Sequence, residues 1–216
     1  MMPFVVLEGC DGAGKTTLRE MLRAELDAAG VLAVTIGQHS WLHPWHARAL
    51  VFAREQRTYV PPAQLSQAYL HDKRLHGLRN VEPARKRAVV IADRWFYSDA
   101  VYHEVLYGIP MHTTLEQHRG AGTVRPDLLV YVSVDADQAY ERILQRGRHT
   151  RHYERPADLR RLVAGYEQLL LNSDFTGVEL LRIGNALDVE ALRQKVRQVL
   201  IPAIRQRISA AKSEDQ

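Results

Sequence analysis

The sequence predicts an α/β fold in which a five-stranded parallel sheet lies between two layers of helices. Three observations predict it. Short apolar runs alternate with segments of helical periodicity from the first residues, four of the five runs are almost continuously apolar, and no shift in composition divides the chain. Continuous apolar runs are typical of parallel strands that are covered on both faces. Regular alternation of strand and helix favours right-handed crossovers within one sheet.

The strands are assigned to the β-branched apolar runs. These are Phe4–Glu8, Val31–Ile36, Val89–Ala92, Leu128–Val134 and Val178–Ile183, of which the last is the weakest because it contains a glutamate. Helices are predicted between them at about 15–29, 45–56, 62–86, 96–107, 136–147, 156–171 and 188–208. Pro62 suits a first helical turn, and Gly30 suits the end of the first helix.

The chain length of 216 residues predicts one domain, residues 1–210, followed by a polar tail at 211–216. Cys10 is the only cysteine, which excludes an intramolecular disulfide or a cysteine zinc site and points to the reducing cytoplasm. The apolar run from Pro3 to Leu7 is too short for a signal peptide, and no run reaches the 18 apolar residues of a membrane span. Secretion and membrane insertion are therefore not expected.

The numbers of basic and acidic side chains are similar, but the basic side chains are almost all of one type. There are 29 basic and 25 acidic side chains, a formal net charge of +4, and all but five of the basic residues are arginine. Arginine binds phosphate bidentately, so this excess suits a phosphate-binding protein, although GC-rich codon usage explains it equally well. A net charge of +4 is too modest to indicate nucleic-acid binding.

A phosphate-binding loop stands between the first predicted strand and the first predicted helix. Residues 9–16 read Gly-Cys-Asp-Gly-Ala-Gly-Lys-Thr, a full match to the P-loop pattern G-x4-G-K-[ST]. The glycines let backbone N–H groups point inward at phosphate oxygens, and the following helix adds its positive N-terminal end. Lys15 is expected to reach the terminal phosphates and the Thr16 hydroxyl to bind Mg²⁺. The fold is therefore expected to be a three-layer αβα of the P-loop NTPase type.

The motifs around the loop resemble those of the thymidylate kinase family. The resemblance rests on residues 4–17, on Asp93-Arg94-Trp95 after an apolar strand, and on Arg125-Pro126-Asp127-Leu128 with Asp135 and Arg142 downstream. It runs in the right order and spacing from about residue 3 to 200. It implies a nucleoside monophosphate kinase with ATP as donor, a short lid at about 146–156 and a homodimer packed through helices.

On the donor side, the resemblance implies a set of ATP-binding and catalytic residues. The expected ATP-binding residues are Gly9, Cys10, Asp11, Gly12, Ala13, Gly14, Lys15, Thr16, Thr17, Arg142 and Arg146. Gly12 stands where some members carry an arginine in the loop, and members similar to this chain take the catalytic arginine from the lid, for which Arg151 is the candidate. Asp93 is expected to hold the magnesium shell together with Thr16.

On the acceptor side, the resemblance implies that Arg94 clamps the acceptor phosphate and that Asp11 binds and orients the acceptor. Asp11, Lys15, Arg94 and Arg151 are thus the predicted catalytic residues. Arg74, Ser98 and Tyr102 match acceptor-binding positions, while Leu70 stands where the family usually has a phenylalanine that stacks on the base. Tyr69 is adjacent, but on an ideal helix it points about 100° away.

The stretch after the second strand departs from the family pattern. Residues 37–46 read Gly-Gln-His-Ser-Trp-Leu-His-Pro-Trp-His in place of an Arg-Glu-Pro-Gly-like sequence. Aromatic faces can stack on a base or sugar, so Trp41 is assigned to the acceptor pocket. The histidines have no cysteine or acidic partner nearby in the sequence, which disfavours a metal site.

Three functions are compatible with these residues. The first is an ATP- and Mg²⁺-dependent kinase of dTMP or a related nucleotide. The second is a related P-loop kinase that phosphorylates a nucleoside or another small-molecule hydroxyl in specialised metabolism. The third, a non-catalytic nucleotide-binding switch, is disfavoured because it needs neither Asp11, Arg94 nor a basic lid.

Overall fold

The strand β1 (Phe4–Glu8) lies in the middle of the sheet and is buried along its whole length. A computed structural model describes residues 1–147, 150–171, 177–184 and 188–214 of the chain. The sheet has five parallel strands in the order β2-β3-β1-β4-β5, where β2 is Ala33–Ile36, β3 Val89–Asp93, β4 Leu128–Ser133 and β5 Leu180–Gly184. The predicted three-layer fold and its five parallel strands are confirmed.

Helices cover both faces of this sheet. They are α1 (Lys15–Ala28), α2 (Pro44–Arg54), α3 (Pro62–His76), α4 (Glu82–Ala84), α5 (Phe96–Tyr107), α6 (Met111–Gly120), α7 (Ala136–Gln145), α8 (Pro156–Leu171), α9 (Val189–Lys195) and α10 (Ile201–Glu214). A π-helical turn joins α3 to α4, and another joins α9 to α10. The apolar residues Leu18, Leu22 and Leu26 recur every four residues in α1 and are fully buried, as expected of a helix packed on a sheet.

Several boundaries differ from the prediction. The predicted helix 62–86 is interrupted at Gly77, where an added Cβ would lie 2.7 Å from the Val124 side chain and the helix widens into the π turn. Helix α6 was missed, although Pro110 precedes it and Met111, Leu115 and His118 recur at helical spacing on its buried face. The last helix extends to Glu214, four residues beyond the predicted end of the domain.

The carboxyl ends of β1, β3 and β4 meet at one edge of the sheet, because all strands are parallel. The phosphate-binding loop follows β1, and Asp93 and Arg94 follow β3, so the topology brings both sequence motifs to the same place. Within the described ranges, no helix is long and apolar enough to cross a membrane.

The opposite edge of the sheet is tied together by Asp127. Its Oδ2 accepts hydrogen bonds from Phe4 N at 2.7 Å and from Arg85 Nη2 at 2.6 Å. We expect Asp127→Ala to lower the free energy of unfolding by about 1–3 kcal/mol, because Phe4 N loses its partner in a half-buried setting. ATP affinity should not change, because this edge lies away from the loop.

Denaturant unfolding and ATP titration measure the two effects. The matched control is Asp137→Ala, which removes an exposed ion pair with Arg160 and should cost less than about 1 kcal/mol. Equal losses of stability in the two variants would contradict this role of Asp127.

Candidate active site

The phosphate-binding loop is built by close packing that only glycine permits at Gly9 and Gly12. Both have positive φ angles, 145° and 81°. A Cβ on Gly9 would lie 2.6 Å from the Val132 carbonyl oxygen, and a Cβ on Gly12 would lie 2.2 Å from that of Ala139. Gly14, with φ 89°, then starts α1 at Lys15. The loop therefore lies against β4 and α7 with its backbone around the positive end of a helix.

An arginine cannot replace Gly12 without moving α7. The contact with Ala139 is to backbone, which does not yield as a flexible side chain would. This gives a physical reason for the expectation that a catalytic arginine comes from the lid and not from the loop.

Lys15 is buried in the loop. Its Nζ donates hydrogen bonds to Gly9 O at 2.9 Å and Cys10 O at 2.8 Å. Burial and the nearby Arg94 charge lower the pKa of Lys15 to about 8. Cys10 and Ala13 are also buried, so these two predicted residues take part through their backbone and not through their side chains.

A cavity of about 790 Å³ opens above the loop. Most of the predicted site residues lie in its wall: Asp11, Gly12, Gly14, Lys15, Thr16, Thr17, Trp41, Asp93, Arg94, Tyr102, Arg142, Arg146 and Arg151. The ionisable lysine, arginine and carboxylate side chains of the wall are Lys15, Arg19, Arg54, Arg94, Arg142, Arg146 and Arg151 against Asp11, Asp93 and Asp99. This excess of positive charge suits a ligand that carries several phosphates.

Asp11 and Arg94 form an ion pair in the middle of this cavity. Arg94 Nη2 lies 3.1 Å from Asp11 Oδ2, Tyr102 OH donates to the same oxygen at 2.6 Å, and Arg151 Nη1 lies 3.9 Å from Oδ1. Burial alone would raise the pKa of Asp11, but the charges of Arg94 and Lys15 and the Tyr102 hydrogen bond hold it well below its usual range. Asp11 is therefore an ionised, acceptor-only carboxylate between two arginines.

A buried network holds Arg94 from behind. Its Nη1 donates to Gly9 O at 2.7 Å, to Tyr166 OH at 2.9 Å and to Ser98 Oγ at 3.1 Å. Ser98 Oγ donates in turn to the Glu8 carboxylate. Arg94 has a φ of 73°, a strained conformation for a non-glycine residue that such contacts stabilise. Ser98 is fully buried in this network and lies outside the cavity wall, so its predicted contact with the acceptor is replaced by a contact with Arg94.

Glu8 was not predicted as a site residue. Its carboxylate also accepts from Trp95 N at 2.8 Å and Ser98 N at 3.2 Å at the start of α5. Burial raises the pKa of Glu8 to about 7. The sequence signal that could have found it is a charged residue at the end of an otherwise apolar central strand.

Tyr69 and Lys73 lie one turn apart on the same face of α3. Tyr69 lies in the cavity wall, and Lys73, which is fully buried, places its Nζ 5.8 Å from the centre of the Tyr69 ring and 3.2 Å from Asp99 Oδ2. Leu70 and Arg74 lie one position later, on a face rotated by about 100°. The Arg74 side chain is exposed, and neither residue lines the cavity.

This placement corrects the assignment of Leu70 and Arg74. Both pairs have the spacing i, i+4, so the sequence alone does not choose between them. The π turn after His76 and the packing of α3 on α5 decide which face is turned inward. An aromatic ring, which Leu70 lacks, is thus supplied by Tyr69.

The segment after β2 whose sequence departs from the family pattern forms one wall of the same cavity. Gln38, His39 and Trp41 line it, and the His39 ring packs against Trp41 at 4.8 Å and Tyr69 at 5.5 Å between ring centroids. Trp41 is 44% exposed and is therefore not a buried core residue. Arg54 at the end of α2 lies 5.7 Å above the Trp41 ring. Gln38, His39, Arg54 and Tyr69 are cavity residues that sequence reasoning missed.

The other histidines of this region stack on one another. The His46 ring lies 4.1 Å from His43 and 4.8 Å from His71, with ring planes nearly parallel in the second pair. Among the described residues, no group of three or more His, Cys, Asp or Glu side chains could hold a metal ion.

The expected lid segment contributes Arg146 and Arg151 to the cavity wall, and α7 contributes Arg142. Arg151 Nη1 donates to Tyr153 OH at 3.0 Å, and the Tyr153 ring packs on Tyr102, which orients the guanidinium towards Asp11. Arg148 and His149 lie outside the described residues. Tyr153 was not predicted as a site residue. It lies two residues after Arg151 and is buried, and a search of this segment for arginines alone overlooks it.

Two side chains with oxygen atoms are placed in the cavity where they fit a magnesium ion. The Thr16 hydroxyl and the Asp93 carboxylate both lie in the cavity wall beside Lys15, and Arg19 Nη1 lies 3.7 Å from Asp93 Oδ2. Mg²⁺ prefers oxygen ligands and is commonly held by one or two protein side chains together with substrate phosphates and waters. The donor set fits this ion.

Comparison with known proteins points to one family. A family model described as thymidylate kinase matches residues 7–179. The chain is 28% identical over 206 residues to the thymidylate kinase of Xanthomonas euvesicatoria pv. vesicatoria, covering 95% of this chain and 86% of that protein. It is 30% identical over 200 residues to that of Xanthomonas campestris pv. campestris strain B100, with coverages of 89% and 86%. It is 34% identical over 158 residues to that of Xylella fastidiosa strain M12, with coverages of 73% and 70%.

The contact of Gly12 with α7 predicts the effect of a single methyl group. Gly12→Ala should lower the free energy of unfolding by about 1–3 kcal/mol and weaken ATP binding, because the loop must move away from Ala139. Thermal unfolding and ATP titration measure both effects. Gly120→Ala is the control: this helical glycine faces open space, so the change should be neutral or stabilise by about 0.5–1 kcal/mol. An unaffected Gly12→Ala protein would show that the loop is not held by this contact.

The lowered pKa of Lys15 predicts a pH-dependent affinity for ATP. A bound phosphate raises the pKa of Lys15, so binding takes up a proton once the pH exceeds about 8. We expect ATP affinity to fall by about twofold from pH 7 to 8 and by up to about tenfold at pH 9. Calorimetry at the three pH values measures this, with adenosine, which lacks phosphates, as a control that should not change. An ATP affinity that stays level to pH 9 would rule out this titration.

Proposed function

The chain belongs to the thymidylate kinase family of nucleoside monophosphate kinases, and we propose that it transfers the terminal phosphoryl group of ATP to dTMP or a closely related nucleotide. One observation carries the proposal: a single cavity joins the phosphate-binding loop, the Asp11–Arg94–Arg151 cluster and an aromatic wall. A donor triphosphate, a reacting phosphate and a base need these three environments in this order.

The donor half of the cavity is suited to ATP. The loop backbone and Lys15 are placed to bind its β- and γ-phosphates, and Arg142 and Arg146 add positive charge from α7 and the residue that follows it. Thr16 and Asp93 would hold Mg²⁺, which supplies charge neutralisation on the donor phosphates when bound. Phosphoryl transfer depends on such positioning and neutralisation more than on covalent chemistry.

Arg94 is the proposed clamp on the acceptor phosphate. Its guanidinium is planar and always charged, so it can hold a phosphate with two parallel hydrogen bonds. Asp11 balances its charge and keeps it from pairing with other carboxylates. Arg151, whose Nη1 lies within 4 Å of the same Asp11, is the proposed catalytic arginine that neutralises the transferring group.

The aromatic wall is the proposed site for the base. Tyr69 offers a ring face there, and Lys73 and Asp99 form a buried ion pair next to it. We assign to Tyr69 and Lys73 the acceptor-side roles that sequence reasoning assigned to Leu70 and Arg74. Tyr102, fixed by its hydrogen bond to Asp11, stands between the base wall and the reacting centre.

A second function deserves a test because the Gln38–Trp41 wall departs from the family pattern. Gln38, His39 and Trp41 stand in place of an Arg-Glu-Pro-Gly-like stretch. They line the proposed acceptor half of the cavity and not the proposed donor half. A related kinase that phosphorylates a nucleoside or another small-molecule hydroxyl would keep the donor half and change this wall. Its product would be a monophosphate ester and not a diphosphate, which mass spectrometry distinguishes.

We also propose a homodimer, as the family resemblance implies. Trp45 on α2, which is 73% exposed, and Tyr59 between α2 and α3, which is 80% exposed, line an apolar groove of about 560 Å³. Sedimentation of the wild type and of a Trp45→Glu variant tests it. A monomeric wild type would overturn the proposal.

The proposed roles predict different kinetic defects for Lys15 and Arg94. A screen of nucleoside monophosphates with ATP and Mg²⁺ should show one acceptor that raises ADP production. With it, Arg94→Ala should raise the acceptor KM and lower kcat/KM by roughly 10²–10³-fold, while Lys15→Ala should mainly lower kcat by a similar factor. Arg87→Ala removes an exposed arginine outside the cavity and should match the wild type. If Arg94→Ala leaves acceptor phosphorylation intact, Arg94 does not hold the acceptor phosphate; if no acceptor raises turnover, the proposed function fails.

A further inference from the structure

Two consecutive side chains of the acceptor wall are each held by a buried aspartate. Gln38 Nε2 donates to Asp99 Oδ1 at 3.0 Å, and His39 Nδ1 lies 3.1 Å from Asp72 Oδ2. The two aspartates lie on different helices, α5 and α3, and both are almost completely buried. The arrangement fixes which atoms of Gln38 and His39 remain for a ligand.

Asp99 determines the orientation of the Gln38 amide. Its carboxylate is fully buried and pairs with Lys73 at 3.2 Å, and although burial raises the pKa of Asp99 to about 6, it is mostly ionised at pH 7.5. An ionised carboxylate only accepts hydrogen bonds, so the NH₂ group of Gln38 must face it. Gln38 Oε1 then remains as an acceptor, and no described residue donates to it.

Asp72 determines the tautomer of His39 in the same way. Besides His39, its carboxylate accepts from Ser40 N at 3.1 Å, Ser40 Oγ at 2.6 Å and Trp41 N at 3.2 Å. Burial alone would raise the pKa of Asp72, but these hydrogen bonds and the Lys73 charge hold it well below its usual range. Burial lowers the pKa of His39 to about 4, so the ring is neutral and carries its hydrogen on Nδ1. Its Nε2 therefore has a free lone pair and no partner among the described residues.

We propose that Gln38 and His39 form a hydrogen-bond-accepting wall that selects acceptors whose base presents N–H or O–H donors, with Asp99 and Asp72 as positioning residues. Gln38 Oε1 and His39 Nε2 are the accepting atoms. The chemical class is a nucleotide with a ring N–H or an amino group on its base edge. The inference rests on the proposed function for the identity of the ligand as a nucleotide, and it adds the atoms that read the base.

The polarity of this wall gives strong discrimination for a physical reason. A ligand edge that carries only acceptors would bring its lone pairs against those of Gln38 and His39. Neither side chain can turn to offer a hydrogen, because each donor is already engaged by a buried carboxylate. A site of this kind rejects a ligand that lacks the donor more strongly than an apolar pocket rejects a missing methyl group.

The test compares dTMP with its 4-deoxo analogue, the 5-methyl-2-pyrimidinone nucleotide, in which N3 carries a lone pair in place of the only N–H of the base and no bulk is added. Calorimetry at pH 7.5 without ATP measures binding, and a coupled assay with ATP and Mg²⁺ measures phosphorylation. We expect the wild type to bind dTMP roughly 10- to 100-fold more tightly than the analogue.

Three variants and one control locate the discrimination. Gln38→Met and His39→Phe each remove one accepting atom at similar volume, and at least one of them should reduce the preference to less than about threefold. Asp99→Asn keeps the shape but can present either an oxygen or an NH₂ to Gln38, so it should weaken the preference while dTMP still binds. Gln206→Met, at an exposed position of α10 away from the cavity, should keep the wild-type preference. Thermal unfolding of each variant shows that it is folded.

The outcomes separate this inference from the proposed function. A wild type that binds both compounds within about threefold, or variants that all keep the wild-type preference, would overturn the inference even if both compounds are phosphorylated. If the preference is present and lost in the variants but neither compound is phosphorylated, the inference holds and the proposed function fails. If neither compound binds, the base-reading wall is overturned for this class of acceptor.

Discussion

The buried guanidinium of Arg94 is the group on which the rest of the site depends. It spans the distance between the loop after β1 and the start of α5, donating to Gly9 O while its other nitrogen pairs with Asp11. A cation in such a place is stable only if its hydrogen bonds are satisfied and its charge is balanced, since the cost of burying it unpaired is several kcal/mol or more. Asp11 balances the charge, and Ser98 and Tyr166 accept from the same Nη1 that donates to Gly9. Nη2 has no hydrogen-bond partner among the described residues, which leaves it for a ligand.

This requirement explains why several polar residues near the centre of the fold are buried. Glu8 ends the central strand where an apolar residue would otherwise pack, and its carboxylate receives Ser98 and the first N–H groups of α5. The same contacts fix the strained backbone of Arg94. Arg94, the proposed acceptor clamp, is thus held by the core of the protein, whereas Arg151 lies between α7 and α8 and reaches Asp11 from outside.

The two halves of the cavity are built by different rules. In the proposed donor half, backbone packing against β4 and α7 determines the conformation of the phosphate-binding loop. Glycine is therefore required at Gly9 and Gly12, and few side chains contribute to the shape of the loop. In the proposed acceptor half, buried ion pairs and hydrogen bonds around Lys73 orient the side chains of the cavity wall. Divergence of substrate within one family is easier in the second half, because changing a side chain there does not disturb the phosphate cradle.

By itself the sequence determined the parallel sheet and the donor half, because both are local patterns: apolar runs, and a glycine-rich loop between a strand and a helix. The motifs that follow β1 and β3 also placed Asp11 and Arg94 together, whereas Arg151 was assigned from the family resemblance of the lid. It missed α6, whose buried face carries His118 and Thr114 beside its apolar residues and so shows only a weak hydrophobic period. Only the tertiary structure decided that Tyr69 lines the cavity while Leu70 and Arg74 do not, since the pairs Tyr69/Lys73 and Leu70/Arg74 share one spacing and a rotation of about 100° separates them. It also showed that Ser98 supports Arg94, and that buried aspartates hold Gln38 Nε2 and His39 Nδ1, because those aspartates lie 61 and 33 residues away in the chain.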